Sequence, residues 1–130
     1  MAHARKLVAP SSESVGVVLL IDDDPEVREL HSLQLMLSGY VVFEASDGVE
    51  ALAILRRVRP HLILLDLQMP HMDGYVFLER LRGRPERSDV PVCVMSANPI
   101  NEPIHADAYL QKPFLEQSLL DVVERFRRSG

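Results

Sequence analysis

The sequence predicts one α/β domain, a doubly wound sheet of five parallel strands with helices on both faces. Short apolar runs alternate with helical patterns along residues 16–130. The runs are apolar at consecutive positions, which is typical of strands covered on both faces. A length of 130 residues, with 47% hydrophobic and 25% charged residues, suits a single globular domain.

The first strand and helix have the clearest signals. Residues 17–21 form a continuous, partly β-branched apolar run, which predicts a buried strand ending at Asp22. Pro25 suits the first turn of a helix, and Ser38-Gly39 suits its end. Between them, apolar residues recur at three- and four-residue steps, as expected for a helix. These residues are Val27, Leu30, Leu33 and Leu37, with Gln34 as an alternative to Leu33.

The same alternation continues to the end of the chain. It predicts, in order, a strand at 40–44, a helix capped by Asp47, a strand at 62–65, a loop at 69–74, a short helix carrying Val76, Phe77, Leu78 and Leu81, strands at 92–95 and 108–110, and a helix from Phe114 to about Arg128. Residues 1–15 lack periodicity, so we expect a flexible leader there and the folded domain at 16–130.

Composition argues against several classes of partner. The net charge of −5 would repel a polyanion, so we expect no direct nucleic-acid binding. No apolar run approaches the roughly 20 residues of a membrane-spanning helix, and no signal peptide follows Met1, so we expect no membrane insertion. The lone Cys93 cannot form an internal disulfide and suits a reducing compartment. We therefore expect a cytoplasmic protein.

Reactive side chains follow the predicted strands where each strand ends. These residues are Asp22, Asp23 and Asp24 after the first strand, Asp66 after the third, Ser96 after the fourth and Lys112 after the fifth. In an open parallel sheet, ligands bind beyond these carboxyl ends. Crowded carboxylates need a cation, and donors that are all oxygen favour Mg²⁺. The structural alternative is that Asp22–Asp24 only cap the first helix, and it is strongest for Asp24.

A strand-end carboxylate beside Mg²⁺ can attack a phosphoryl group and form an aspartyl phosphate. The capping alternative is weak for Asp22 and Asp23 together with Asp66, because Asp66 closes the strand at 62–65 and no capping role explains it. Lys112 would supply a second cation, and Ser96 could donate a hydrogen bond to a phosphoryl oxygen. Each of these residue types is common alone, and the inference depends on their coincidence at the strand ends.

These motifs resemble, in order, those of the receiver domain of two-component response regulators. The matching segments are Val18-Leu19-Leu20-Ile21-Asp22-Asp23-Asp24, Leu64-Leu65-Asp66-Leu67-Gln68-Met69-Pro70 with Met72-Asp73-Gly74, Val94-Met95-Ser96-Ala97 and Tyr109-Leu110-Gln111-Lys112-Pro113-Phe114. The resemblance extends from about Val15 to Arg128. It implies the flavodoxin-like strand order 2-1-3-4-5, an order for which a chemotaxis receiver is a known example.

The resemblance also implies roles for individual residues. They are Asp66 as phosphoryl acceptor, Asp23, Asp66 and the Gln68 carbonyl as Mg²⁺ ligands, Asp22 as a ligand acting mainly through water, Ser96 and Lys112 as holders of the phosphoryl oxygens, and Tyr109 as an aromatic switch. The donor would be a sensor histidine kinase or a phosphotransfer protein, and the output a downstream target protein or output domain. The resemblance thus favours a stand-alone signalling protein, similar to chemotaxis regulators, rather than an enzyme.

Two further expectations concern the backbone near the last strands. The resemblance, and the need for Lys112 to turn back from a strand end, predict a cis Lys112-Pro113 bond. The crossover at 97–106 is shorter than the others and contains Pro99 and Pro103. Since a helical crossover needs at least about 10–12 residues, we expect a shortened or absent fourth helix.

Two other classes of site fit these motifs less well. A haloacid-dehalogenase-like phosphatase would use the Asp22-x-Asp24 spacing, but the order of Asp66, Ser96 and Lys112 does not fit, and the chain leaves no room for a cap domain. A flavin or nucleotide site needs a Gly- or Ser/Thr-rich loop where this chain has acids. An unphosphorylated pseudo-receiver, acting as a protein-interaction module, stays open as the alternative because the fourth crossover is atypical.

Overall fold

The computed structural model describes residues 5–7, 15–68, 73–85, 87–98 and 106–129. Its elements are, in chain order, β1 (Arg5–Leu7), β2 (Gly16–Ile21), α1 (Pro25–Leu37), β3 (Tyr40–Ala45), α2 (Gly48–Leu55), β4 (Leu62–Asp66), α3 (Gly74–Arg82), β5 (Val92–Ser96), β6 (Ala108–Gln111) and α4 (Glu116–Ser129). The predicted alternation of strands and helices is therefore confirmed. The last helix begins at Glu116 rather than at Phe114, and Phe114 instead packs against the core.

The strands form one sheet in the order β1-β3-β2-β4-β5-β6. From β3 to β6 all neighbouring strands are parallel. The five predicted strands correspond to β2, β3, β4, β5 and β6, so the observed order β3-β2-β4-β5-β6 is the predicted order 2-1-3-4-5. Ile21 pairs with Leu65 across β2 and β4, so Asp22 and Asp66 follow at equivalent positions at one edge. Ser96 at the end of β5 pairs with Gln111, so Lys112 follows at that same edge. The register thus collects the reactive side chains.

Strand β1 is an addition that the sequence pattern does not predict. Arg5, Lys6 and Leu7 pair antiparallel with Glu44, Phe43 and Val42 of β3. The sequence places these residues in a flexible leader, whereas the structure has them in the sheet. A three-residue strand is too short for periodicity to show it, and its pairing partner lies far along the chain. The division of the chain at residue 15 stays a prediction.

Apolar side chains cover both faces of the sheet. On one face, side chains of β2 and β4 pack with Ala51 and Leu55 of α2 and Phe77 of α3. On the other face, the alternate strand positions pack with Leu35 of α1 and Leu119 of α4. This arrangement confirms the doubly wound architecture, in which a strand buried on both faces is apolar at every position.

The described residues contain four helices, and this fits a shortened or absent fourth helix of the usual receiver pattern. The prediction itself falls on the crossover between β5 and β6. Residues 99–105 of that crossover lie outside the described residues. None of the helices in the described part of the chain combines the length and the apolar composition needed to cross a bilayer.

Candidate phosphoryl-acceptor site

Three carboxylates converge at the carboxyl edge of the sheet. One carboxylate oxygen from each of Asp22, Asp23 and Asp66 lies within 4.8 Å of the other two. Asp22 and Asp66 are buried, whereas Asp23 is exposed. The edge predicted from the strand ends is therefore assembled as expected, with one carboxylate open to solvent and two held inside the fold.

Asp22 is held through both carboxylate oxygens. Its Oδ1 accepts the backbone N–H of Asp24 at 3.0 Å, and its Oδ2 accepts a hydrogen bond from Lys112 Nζ at 2.9 Å. The side chain of Asp22 is completely buried, so this ammonium compensates a charge that water cannot reach. Asp22 is thus a fixed anion that draws Lys112 into the site.

Asp66 has a different environment from Asp22. Its Oδ1 accepts the backbone N–H of Gln68 at 3.1 Å, and its Oδ2 lies 3.8 Å from Lys112 Nζ. Burial raises the pKa of Asp66 to about 6, although the Gln68 N–H and Lys112 act in the opposite direction. The negative charges of Asp22 and Asp23 add to the rise. At neutral pH the carboxylate is still predominantly ionised, as a nucleophile must be.

Asp24 has a structural role as a helix cap. Its side chain is the N-cap of α1 and accepts the backbone N–H groups of Glu26 and Val27. The capping alternative is therefore correct for Asp24, and it does not describe Asp22 or Asp23. Among the described residues, the group of close carboxylates consists of Asp22, Asp23 and Asp66 and does not include Asp24.

Ser96 ends β5, and Lys112 directly follows the neighbouring strand β6. The backbone N–H of Lys112 donates to the Ser96 carbonyl at 2.8 Å. The Lys112-Pro113 peptide bond is cis, as predicted. The Ser96 hydroxyl donates to the Asn98 carbonyl at 2.9 Å and accepts the Asn98 N–H at 3.2 Å. Lys112 therefore contacts the acids directly, whereas the hydroxyl of Ser96 is engaged with the loop that follows it.

Tyr109 on β6 has 49% of its surface exposed. Its ring lies at the periphery of the sheet in this structure, and a switch role stays a prediction. Gln68 is also exposed, directly after the strand that carries Asp66. Its backbone N–H orients Asp66, as described above, and the assignment of its carbonyl to a metal stays a prediction.

The loop after Asp66 is closed by a tight contact at Gly74. The Gly74 N–H donates to the Leu67 carbonyl at 2.9 Å. A Cβ at Gly74 would lie 2.6 Å from Leu67 Cα and 3.0 Å from the Asp66 carbonyl oxygen. Only glycine allows this approach without displacement of the backbone that carries Asp66.

A family model described as the response regulator receiver domain matches residues 18–124. The chain belongs to this family. The receiver domain is similar to the DNA-binding dual master transcriptional regulator RpaA of Synechocystis, with 39% identity over 119 residues. It is also similar to response regulator MprA of Mycobacterium tuberculosis, with 39% identity over 109 residues. These matches cover 86% and 79% of this chain.

The chain spans about half the length of these curated relatives, 49% of RpaA and 46% of MprA. Solved structures of single receiver domains match over nearly their full length. Chemotaxis protein CheY4 of Vibrio cholerae superposes with a TM-score of 0.80 at 30% identity, covering 88% of this chain and 99% of that chain. The region shared with the longer relatives is therefore the receiver fold.

The receiver domain of sensor histidine kinase PA1611 from Pseudomonas aeruginosa superposes with a TM-score of 0.81 at 27% identity, covering 87% of this chain and 98% of that chain. In that structure a magnesium ion is coordinated in the active-site cleft. The acids of the present receiver fit the same ion. Their donors are all carboxylate oxygens that lie close together, and the exposed Asp23 leaves room for the waters that Mg²⁺ keeps.

Two residues near the site of this receiver were not singled out from the sequence. Arg28 of α1 donates from Nη1 to the Asp22 carbonyl at 2.7 Å and from Nε to Glu44 Oε1 at 3.1 Å. Glu44 lies on β3 and is buried. A sequence signal exists, since an acid inside an otherwise apolar strand requires a buried cation as partner. The pattern does not show which arginine supplies it.

Proposed function

We propose that this receiver accepts a phosphoryl group on Asp66 from the phosphohistidine of a sensor histidine kinase or phosphotransfer protein. The observation that carries the proposal is the convergence of Asp22, Asp23 and Asp66 beside Lys112. In this group, Asp66 combines burial with a carboxylate oxygen 3.8 Å from the ammonium. An aspartate in this position can act as a nucleophile while nearby cations stabilise the charge of the incoming group.

In the proposed step, an oxygen of Asp66 attacks phosphorus, the new O–P bond forms and the donor's N–P bond breaks. The electron pair of the broken bond returns to the imidazole nitrogen of the donor, which then takes a proton. The Gln68 N–H holds Oδ1 of Asp66, which leaves Oδ2, on the side of Lys112, as the attacking atom. Lys112 can then move from Asp22 to a phosphoryl oxygen, since both acids lie within its reach.

A bound Mg²⁺ would neutralise part of the negative charge on the transferring group. Asp23 and Asp66 would hold it together with the Gln68 carbonyl, and Asp22 would act mainly through water. The exposure of Asp23 supports its role as the carboxylate that meets the ion first. The proposed cofactor is therefore Mg²⁺.

The proposed output is a conformational switch that controls a downstream target protein or output domain. A hydrogen bond from Ser96 to the phosphoryl group would require its hydroxyl to leave Asn98, with which it now exchanges two hydrogen bonds. That change would alter the loop after β5, and Tyr109, now half exposed, would turn inward. We propose a signalling protein rather than an enzyme, which acts through protein partners in the cytoplasm without binding nucleic acid itself.

The test is incubation with acetyl phosphate, with and without Mg²⁺, followed by intact-protein mass spectrometry. The wild type should gain the mass of one phosphoryl group only when Mg²⁺ is present, and Asp66→Asn should gain none. Asp47→Asn is the matched control, because Asp47 caps α2 outside the acidic group and this variant should react like the wild type. A wild type that stays unmodified with acetyl phosphate and with a phosphoramidate donor would instead favour the unphosphorylated pseudo-receiver.

A further inference from the structure

We propose that Arg28 is a positioning residue of the receiver's metal site, which sets the orientation of Asp23 by holding the carbonyl group of Asp22. The inference rests on the Mg²⁺ dependence proposed above. It adds a function for two residues, Arg28 and Glu44, that do not belong to the acidic group or contact the phosphoryl acceptor. The juxtaposition that carries it is a partly buried guanidinium shared between a buried carboxylate and a backbone carbonyl of the metal-binding loop.

The contact is made to the backbone, at the peptide that joins the two acids. Arg28 Nη1 donates to the Asp22 carbonyl oxygen at 2.7 Å, a short charge-assisted hydrogen bond. The peptide unit is planar, so a held carbonyl also constrains the path from the Asp22 Cα atom to the Asp23 Cα atom. In the proposal, Arg28 thereby restricts the orientation of the peptide that leads into Asp23, and with it the directions from which the exposed Asp23 carboxylate can face the cleft.

The guanidinium is itself oriented by Glu44. Arg28 Nε lies 3.1 Å from Glu44 Oε1, and the two side chains are only 19% and 5% exposed. Glu44 comes from β3, next to β2 in the sheet, and its neighbour Ala45 accepts the Asp22 N–H through its carbonyl at 3.1 Å. The loop that carries the two acids is thus held at the Asp22 N–H from β3 and at the Asp22 carbonyl from α1.

Loss of Arg28 should change the Mg²⁺ affinity in opposite directions, depending on whether Arg28 acts through its charge or by orienting Asp23. Arg28 is a cation near the metal-binding acids, so its removal makes the site more negative. If charge alone mattered, Mg²⁺ would bind more tightly to the variant. If Arg28 positions Asp23, Mg²⁺ should bind more weakly, since loss of a group that orients metal ligands typically costs about 10- to 100-fold in affinity. The sign of the change separates the two roles.

The experiment is titration of the full chain with MgCl₂, followed by amide NMR shifts, for the wild type and Arg28→Met. Arg82→Met is the matched control. Arg82, the last residue of α3, is also partly buried and donates to two backbone carbonyls, those of Ser88 and Val90. Its acidic partner is Asp107, which is not one of the three close carboxylates. Thermal unfolding without Mg²⁺ measures the structural effect of each substitution separately.

We expect Arg28→Met to bind Mg²⁺ about tenfold more weakly than the wild type, and Arg82→Met to bind it equally well even if both variants lose thermal stability. Glu44→Gln keeps an oxygen that can accept from Arg28 Nε and should bind Mg²⁺ more tightly than Glu44→Leu, which removes that acceptor. If Arg28→Met does not fold, Arg28→Lys replaces it. A lysine has one donor nitrogen, whereas Arg28 donates from Nε and Nη1 to two acceptors, so Arg28→Lys should also bind Mg²⁺ more weakly than the wild type.

Unchanged or tighter Mg²⁺ binding in the folded Arg28 variant would overturn the proposal, as would an equal loss in Arg82→Met. These outcomes differ from a failure of the proposed function. If the wild type neither binds Mg²⁺ nor accepts a phosphoryl group, the receiver function itself is wrong. If it does both and the Arg28 variant matches it, only the positioning role is wrong.

Discussion

Substitution of Gly74 by alanine should destabilise the receiver and displace the backbone at Leu67, next to Asp66. The added Cβ would lie 2.6 Å from Leu67 Cα and 2.9 Å from Leu67 Cδ2. Carbon atoms in favourable contact are about 3.5–4.0 Å apart, so the backbone at Leu67 or Gly74 must move by about 1 Å. The Leu67 carbonyl, which accepts the Gly74 N–H, would have to move as well.

Overpacking of this kind typically costs about 1–3 kcal/mol. The unfolding entropy is about 2.1 cal/mol/K per residue, so for 130 residues a loss of about 2 kcal/mol lowers the Tm by about 7 °C. The displaced backbone carries Asp66, so the rate of acetyl phosphate incorporation should fall as well. Circular dichroism melts and mass spectrometry measure the two effects.

Gly83→Ala is the matched control at the other end of α3. A Cβ at Gly83 would meet only two carbonyl oxygens, both at 3.6 Å, and the φ angle of −82° suits alanine. This substitution should raise stability by about 0.4–1 kcal/mol, or about 1–4 °C, because alanine restricts the unfolded chain. Equal shifts in the two variants, or a Gly74→Ala protein that melts with the wild type, would refute the steric argument.

Three further predictions follow from the described contacts. Asp24→Ala should cost about 1 kcal/mol of stability through loss of the α1 cap and leave Mg²⁺ affinity nearly unchanged. Asp23→Ala should instead weaken Mg²⁺ binding and leave stability nearly unchanged. Unfolding curves and metal titrations of the two variants measure both effects. Cys93 is buried and its pKa is raised to about 12 by that burial, so iodoacetamide should modify it only in denaturant, as mass spectrometry would show. His61 accepts the Val17 N–H through Nδ1, and burial lowers its pKa from 6.5, so the folded state binds this proton less tightly than the unfolded chain. The His61 contribution to the free energy of unfolding should be complete above pH 6.5 and decline as the pH falls below it, and urea unfolding across pH should show a smaller decline in His61→Asn.

The helix at 25–37 could be predicted from its apolar spacing, but the face that it buries could not. Leu30, Leu33 and Leu37 are 53%, 47% and 65% exposed, whereas Leu35 is fully buried. Leucines at these positions surround the helix axis, so periodicity alone does not select the stripe that meets the sheet. The buried face is decided by tertiary packing, in which Leu35 joins the core on the α1 and α4 side.

The candidate site was more predictable than the buried face of α1. Parallel strands end at the same edge of the sheet, so residues that directly follow them in the sequence lie close together. Asp66 and Asp22 end neighbouring parallel strands, and this alone brings them to one edge. The pairing of Arg28 with Glu44 was not predictable in the same way. The two residues are brought together by the packing of α1 against β3, and many arginines could have paired with one buried glutamate.

Three aspartates at this edge have the same chemistry but different environments, and the environments support different proposed roles. Both carboxylate oxygens of Asp22 accept hydrogen bonds, one from a backbone N–H and one from Lys112, so Asp22 holds the ammonium beside Asp66. Asp23 is exposed and can meet a metal ion without displacing a protein partner from the interior. Asp66 is buried and its pKa is about 6, with one oxygen fixed by Gln68 and the other facing Lys112 at a longer distance. The ammonium lies nearer to Asp22, at 2.9 Å, than to Asp66, at 3.8 Å. In the proposed reaction, the Oδ2 atom of Asp66 would therefore be held less tightly by the cation and would be the better nucleophile, while Lys112 would lie close enough to contact the transferred phosphoryl group.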